Sequence, residues 1–448
     1  MHSPPAVAMT GDRRHTILAL ALPTIGGMTS QNILNLVDMA MVGTLGAPAL
    51  AGVGIGSFLN FMAFAAIAGL ASAVQATAAR RMGEGRTGES ALPLNGGLYL
   101  CWLIGLPLTA GLFLFAPDIF RLLNNDPAVL REGVPYFQIR LLGIIAVGMN
   151  FSFRGYWTAV KNTRLYFATL LTMHTVNIAL NYILIFGKLG LPALGTTGAA
   201  IGTASSLWLG SAIYFWHGHR LARPSGFLDH LPDATQLRTL LKLGLPSSLQ
   251  QLFFAAGFTV LFWIVGQVGT REVAVTNVLI NITLVVILPG MGLGLAAATL
   301  VGQALGRGEP EDAYRWAWDV AKIGVTIFAT LGMVMLLFPK LILGLFLHEP
   351  ELLELGNIPL RLIGASVAFD GIGLILMQAL LGAGASASVM KVGVGLQWLL
   401  FLPLAWLVGP GLGNGLLAIW LVFVGYRGIQ TWLFVSLWRK REWAGIKV

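Results

Sequence analysis

Long runs of apolar residues, separated by short polar segments, dominate the chain. Most runs are about 20 residues or longer, the length that a helix needs to cross the hydrocarbon core of a bilayer. They are too long and too uniformly apolar for the alternating strands of a membrane barrel. The pattern therefore predicts twelve transmembrane helices, at 17–43, 51–79, 93–116, 133–158, 165–187, 196–217, 238–266, 274–304, 317–339, 356–382, 386–408 and 413–438.

The composition points to the same class of protein. Of the 448 residues, 56% are hydrophobic and only 10% are charged, with a mean hydropathy of +0.77. A soluble chain would have about a quarter of its residues charged. We therefore predict an all-α polytopic membrane protein. The single cysteine, Cys101, excludes an internal disulfide and a cysteine metal cluster, and the seven histidines lie mostly in loops, so we expect no metal site.

The basic residues define an orientation. If the N-terminus is cytoplasmic, 20 of the 28 Lys and Arg residues fall on the cytoplasmic side, seven on the other side and Arg427 within a span. This bias is typical of membrane proteins and predicts that both termini are cytoplasmic. The polar tail before the first span has no cleavage pattern, so we expect that span to remain as an anchor. The net charge of +9 then reflects topology, and a nucleic-acid partner is not expected.

An internal repeat divides the chain. A shift of 223 residues aligns Leu22-Pro23 with Leu245-Pro246, V42-G-T-L-G46 with V265-G-Q-V-G269, and G83-E-G85 with G306-R-G308. We predict two pseudo-symmetric bundles of six helices, 1–217 and 238–448, joined by a cytoplasmic linker at 218–237. Transporters built from such repeats place the substrate path between the halves.

The repeated prolines are candidate hinges. Pro23 and Pro246 lie inside the first and seventh spans, where each removes a backbone hydrogen bond and permits a kink. Membrane helices also tolerate proline without any hinge role. Recurrence at equivalent positions favours the hinge.

One acid, Asp38, lies near the outer end of the first span, where a lone carboxylate is costly unless it is used or paired. In the fifth span, His174, Asn177 and Asn181 share one helix face, and Asn181 is at about the depth of Asp38. Thr203 of the sixth span has a similar depth. Burial disfavours the charged form of Asp38, so it could take a proton near neutral pH, or hold Na⁺ with the neighbouring oxygens. The alternative is a solvated Asp38 beside an Asn pair that only packs helices.

The second half differs in its chemistry. The repeat places Leu261 opposite Asp38, so an ion site there has no copy. This half has its own buried acid, Asp370, at a depth comparable to that of Arg427. The two side chains could form a structural ion pair. Asp370 could instead belong to a second cation site or face a central cavity, and the sequence leaves these alternatives open.

These segments resemble the multidrug and toxic compound extrusion (MATE) family. The resemblance covers nearly the whole chain and is carried by Pro23, Q31-N-I-L-N-L-V-D-M-A-M-V-G-T-L-G46, N177-I-A-L-N-Y-I-L-I-F-G187, G244-L-P-S-S-L and the G306-R-G308 loop. It looks closest to the NorM-like bacterial branch, with a DinF-like branch as the alternative.

The resemblance implies a V-shaped pair of bundles in the bacterial inner (plasma) membrane and ion-driven antiport of small, often cationic organic compounds. It implies that Asp38 is the coupling residue, surrounded by Asn177, Asn181 and Thr203, and that Asp370 matches a cation-binding acid. NorM-like members usually carry a Glu where this chain has Ala255. Because that carboxylate is missing, H⁺ is favoured over Na⁺ as the coupling ion.

The expected substrate cavity is apolar with few charges, which suits amphipathic cations. Its candidate lining residues are Gln31, Asn35, Met39, His174, Phe253 and Phe254. The alternative function within transport is a lipid-intermediate flippase, for which the spans carry few cations. No HExxH or G-x-S-x-G motif occurs, so an enzyme is not expected. We expect a monomer that needs no cofactor.

Overall fold

The computed structural model describes residues 11–448, and the predicted cytoplasmic tail at 1–10 lies outside them. The described part is helical, with no strand assigned in it. Its α-helices are α1 (Gly11–Gly43), α2 (Ala47–Gly83), α3 (Leu92–Leu123), α4 (Pro127–Leu141), α5 (Ile144–Ala159), α6 (Thr163–Phe186), α7 (Gly195–His217), α8 (Ala234–Val268), α9 (Thr270–Gly306), α10 (Pro310–Leu337), α11 (Pro339–Leu343), α12 (Pro350–Gly382), α13 (Ser386–Gly395), α14 (Leu402–Trp406) and α15 (Gly415–Lys440).

The predicted spans all fall on helices. Within residues 11–448, ten helices are long and apolar enough to cross a membrane, and α4 with α5 makes an eleventh if this pair, bent by 47°, is one span. The remaining predicted span, 196–217, coincides with α7, which is not among the helices that meet this test. That helix has 23 residues, and its first half, G195-T-T-G-A-A-I-G-T-A-S-S, is rich in small and hydroxyl residues. Such residues allow close packing between membrane helices.

The chain forms two compact units, which follow the chain order except in α1 and α8. One unit contains the described part of Met1–Ile25 together with Ala256–Lys447, and the other contains Gly26–Ala255 and Val448. Each of the two helices therefore contributes its first part to one unit and its second part to the other. The division at a 218–237 linker that the sequence suggested does not include this exchange.

Each unit has its own apolar core. In the unit that contains Gly26–Ala255, α2 packs against α3, α4 and α5, and α6 packs against α7. In the other unit, α12 packs against α9, α10 and α15. The span predicted at 386–408 extends from Ser386 to Gly411. It consists of α13 and α14 with π-helical turns at Leu396–Phe401 and Leu407–Gly411.

The internal repeat is visible in two matching helix contacts, each made by a glycine. A Cβ added to Gly292 would lie 3.2 Å from the backbone N of Ile25 and 3.3 Å from the carbonyl O of Ala21. A Cβ added to Gly69 would lie 2.6 Å from the backbone N of Ser248 and 2.0 Å from the carbonyl O of Gly244. Both glycines and both sets of partners are related by the same shift of 223 residues, and the contacts flank Pro23 and Pro246.

Candidate functional site

Asp38 lies in a chain of hydrogen bonds that joins three helices. The Asn181 side-chain N–H₂ of α6 donates to Asp38 Oδ1 of α1 over 2.8 Å and to Asn177 Oδ1 over 3.1 Å. Asn177 in turn donates to Ser206 Oγ of α7 over 3.1 Å. Asp38 is half-buried, whereas Asn177 and Asn181 are 1% and 0% exposed. The helical spacing that places both asparagines on one face of α6 thus aligns them with the acid.

Asn181 is held by a close approach of α7. A Cβ added to Gly202 would lie only 2.1 Å from Asn181 Oδ1, so a larger residue at 202 would displace the amide. The same Oδ1 is buried and accepts no hydrogen bond. An unsatisfied buried oxygen costs about 1–3 kcal/mol. Gly202 therefore fixes the Asn181 side chain with its N–H₂ group toward Asp38. The side-chain oxygen of Asn181 is left without a hydrogen bond as a result.

A cation also acts on Asp38. The guanidinium of Arg140, on α4, interacts electrostatically with the carboxylate. Its Nε is buried and makes no hydrogen bond. The sequence alone gives no link between Arg140 and Asp38, because the two residues lie on different helices and no spacing rule connects them.

His174 makes a second polar connection between α6 and α1. Its Nδ1 is 2.7 Å from Ser30 Oγ, and its Nε2 is 3.1 Å from Gln31 Oε1. Gln31 donates from its amide nitrogen to Asn35 Oδ1 over 3.1 Å. Because the Gln31 oxygen faces the ring, Nε2 carries a hydrogen. Asp38–Asn181 and Gln31–His174 thus form two polar contacts, two helical turns apart, in one seam.

The remaining predicted site residues lie apart from this seam or make local contacts. Thr203 donates to the carbonyl O of Ala199 in its own helix, over 2.9 Å, and Ser206 rather than Thr203 contacts Asn177. Met39 is 59% exposed and Phe253 is 38% exposed, and Phe254 is half-buried on the same helix, α8. Large exposed apolar side chains are expected on a surface that faces lipid or a cavity.

Asp370 and Arg427 form an ion pair between α12 and α15. The Arg427 Nε–Asp370 Oδ2 distance is 3.8 Å, and the two side chains are 17% and 15% exposed. Arg427 also donates to Gln430 Oε1 over 2.9 Å, whereas Asp370 Oδ1 is buried and accepts no hydrogen bond. Arg427 is therefore close enough to Asp370 to serve as its structural ion-pair partner, although the contact is long for a buried pair.

The described residues contain no group of three or more His, Cys, Asp or Glu side chains that could hold a metal ion. Leu261, which the repeat places opposite Asp38, is 2% exposed within an apolar core. The acid and its amides accordingly lie in one unit only.

Comparisons with known proteins agree with this architecture. The family model MatE matches residues 23–183 and 246–407. The multidrug resistance protein MdtK of Yersinia pseudotuberculosis is 26% identical over 421 residues, which cover 91% of each chain. A solved structure described as the outward-facing conformation of a multidrug resistance MATE family transporter of the MOP superfamily superposes with a TM-score of 0.89, at 22% identity and 98% coverage of both chains.

A second solved structure, a MOP superfamily transporter from Pyrococcus furiosus, superposes with a TM-score of 0.86 at 22% identity, covering 96% of both chains. The family model covers both repeats and includes the proline and acid of α1. The chain therefore belongs to the MatE family of multidrug and toxic compound extrusion proteins, which makes it a membrane transporter and not an enzyme.

Proposed function

We propose that this transporter exports amphipathic, often cationic organic compounds in exchange for H⁺, and that Asp38 couples the two movements. The observation that carries the proposal is the contact of Asn181 with Asp38, a half-buried acid whose bound amide is fully buried. The class of cargo rests on the relatives, which are described as multidrug resistance proteins.

The chemistry of the seam favours H⁺ over Na⁺. Na⁺ needs several oxygen ligands, but Asn181 presents its N–H₂ group to Asp38 and its oxygen to Gly202. The Asn177 oxygen already accepts a hydrogen bond from Asn181, so it is not free to bind an ion in this arrangement. A proton needs only one carboxylate oxygen, and Asp38 Oδ2 has no partner in this set of contacts.

Exchange follows if the proton and the cationic cargo compete for Asp38. The ionised acid attracts the cargo, and protonation removes that attraction and weakens the contact with the seam. We propose that α1 then bends at Pro23, which releases the cargo. We also propose that the protein lies in a bacterial inner membrane with both termini in the cytoplasm, the orientation that the distribution of basic residues favours. It acts as a monomer in this proposal.

Asp38→Asn tests the proposal in proteoliposomes that carry a fluorescent cationic dye. With an imposed pH gradient and no Na⁺, we expect dye transport by the wild type and none by Asp38→Asn, which cannot exchange a proton. Asp118→Asn is the matched control, because Asp118 is exposed and contacts only Arg121 among the ion pairs of the described residues. The proposal fails if Asp38→Asn transports at the wild-type rate. Transport that requires a Na⁺ gradient instead would retain Asp38 but replace the coupling ion.

A further inference from the structure

The inner end of α1 is fixed to α10 by a partly buried ion-pair network. Arg13 Nη1 is 2.7 Å from Asp312 Oδ1, and Arg13 Nε is 2.8 Å from Asp319 Oδ2. The guanidinium also stacks on Trp316, with 3.6 Å from its carbon to the ring centroid. The exposed fractions of the Arg13 and Asp319 side chains are 21% and 9%. A guanidinium held by two carboxylates and a ring has little freedom, so it positions the helix more firmly than a surface pair does.

The acids are themselves held in place. Asp312 Oδ2 accepts from Trp316 Nε1 over 2.8 Å and pairs with Arg307 over 2.9 Å. Lys322 pairs with Asp319 over 3.3 Å. Just beyond Arg13, Ile17, Leu20 and Ala21 of α1 are buried in the apolar core of the same unit. Charge and packing together fix this part of α1.

The repeat-related helix has no such anchor. The shift of 223 residues aligns Arg13 with Gln236 and Asp319 with Gly96. The two positions also meet in the structure, because a Cβ added to Gly96 would lie 3.7 Å from Gln236 Nε2. The contact between α1 and α10 thus has a counterpart between α8 and α3. The ion pair, however, occurs only at α1, the helix that carries Asp38. Gln236 Nε2 is buried and makes no hydrogen bond.

The partners of α1 change two residues after Pro23. Ile25 belongs to the unit of the anchor, whereas Gly26 and Gly27 belong to the other unit and pack on Phe167 and Tyr166 of α6. In α8 the change comes between Ala255 and Ala256, nine residues after Pro246. Only in α1 does the proline lie at the junction between a fixed segment and a segment that contacts the seam.

We propose that Arg13 is a positioning residue for ion coupling. It holds the inner segment of α1, residues 11–25, so that a change at Asp38 bends the helix at Pro23. Without the anchor, the same change shifts the whole helix and the conformational signal is lost. This inference rests on the proposed role of Asp38 and adds the fixed point against which that residue acts.

Arg13→Gln, which copies the residue of the second repeat, is the first test. We expect kcat for pH-driven dye transport to fall about tenfold, inside the roughly 5–150-fold range typical of coupling between sites, with little change in KM. The matched control is Arg441→Gln. Arg441 also pairs with an acid of α10, Glu311, and lies over an aromatic ring of that helix, Tyr314, but it comes from the end of α15. An equal fall in kcat in both variants, or none in Arg13→Gln, overturns the proposal.

A covalent replacement separates anchoring from charge and from folding. Arg13→Cys with Asp319→Cys, in a Cys101→Ser background, removes both charges, so that no unpaired ion remains buried. We expect slow transport before, and wild-type kcat after, reaction with a short bifunctional maleimide. If the cross-link leaves kcat unchanged, Arg13 is not an anchor. Asp38→Asn distinguishes the two proposals: normal coupling in that variant refutes the role of Asp38, whereas normal coupling in Arg13→Gln alone refutes only the anchor.

Discussion

The two matching glycine contacts give a stability prediction whose size differs between the repeats. In Gly69→Ala, the new methyl group would lie 2.0 Å from the carbonyl O of Gly244 and 2.6 Å from the backbone N of Ser248. These are backbone atoms that cannot rotate away, so α2 and α8 must separate. Separation also breaks the hydrogen bond from the Gly69 N–H to Ser248 Oγ, which is 3.0 Å long. Overpacking typically costs about 1–3 kcal/mol, and a hydrogen bond about 0.5–1.5 kcal/mol, so the total is about 1.5–4.5 kcal/mol.

The same change in the other repeat should cost less. In Gly292→Ala the nearest atom is Cγ1 of the Ile25 side chain, at 2.4 Å, and that side chain can change rotamer. The backbone atoms lie at 3.2 and 3.3 Å, so α1 needs to move by only a few tenths of an ångström. We expect a cost of about 1 kcal/mol, near the lower end for overpacking.

Thermal unfolding of the purified proteins in one detergent measures the difference. The expected order of melting temperatures is wild type, then Gly292→Ala, then Gly69→Ala. Folded Gly292→Ala protein should also be assayed for transport, since it isolates the packing of α1 beside Pro23. A Gly292→Ala protein that melts at or below the temperature of Gly69→Ala would refute the reasoning from backbone contacts.

Two further predictions concern the polar sites. Asn181→Leu removes the charge-assisted hydrogen bond to Asp38, worth about 1.5–3 kcal/mol, so pH-driven dye transport should slow by about ten- to hundredfold. Exposed Asn281→Leu is the control, and an unchanged rate in Asn181→Leu contradicts the role of the amide. Asp370→Asn leaves Arg427 buried without its carboxylate and should lower stability by about 1–3 kcal/mol, less than for a tight buried pair because of the 3.8 Å contact. Adding Arg427→Gln should restore the melting temperature and transport, whereas transport that stays lost points to a cation site at Asp370.

The sequence was sufficient for the helices and their repeat but not for their partners. Apolar length predicted twelve spans, and eleven of them lie on helices long and apolar enough to cross a membrane if the bent pair α4 and α5 is counted as one span, because a bilayer fixes the length of a helix that crosses it. Helical spacing also showed that Asn177 and Asn181 share a face, and Asn181 does contact Asp38. Spacing could not select Ser206 over Thr203, since both are hydroxyl residues near one face of α7. Both hydroxyls donate to backbone carbonyls of their own helix, and only the structure shows that Ser206 is the one that also accepts from Asn177.

Longer-range relations were beyond the sequence. Neither Arg13 nor Arg140 could be assigned to an acid, because nothing local indicates which acid each one meets. The exchange of segments in α1 and α8 was also missed. A continuous apolar run does not reveal at which residue a helix leaves one unit and joins the other. The polar linker was the clearest change in composition, so the predicted division was placed there.

That linker is fastened to one unit. Asn95 donates to the carbonyl O of Gly226 over 2.8 Å and accepts from the N–H of Leu228 over 3.0 Å, and Phe227 is 1% exposed. Between residues 11 and 447 the backbone passes from one unit to the other only inside α1 and α8, so the linker lies wholly within one unit. A chain cut at 229–233 would leave two fragments, each still inserting a helix segment into the fold of the other. Co-expressed as separate polypeptides, such fragments should reassemble.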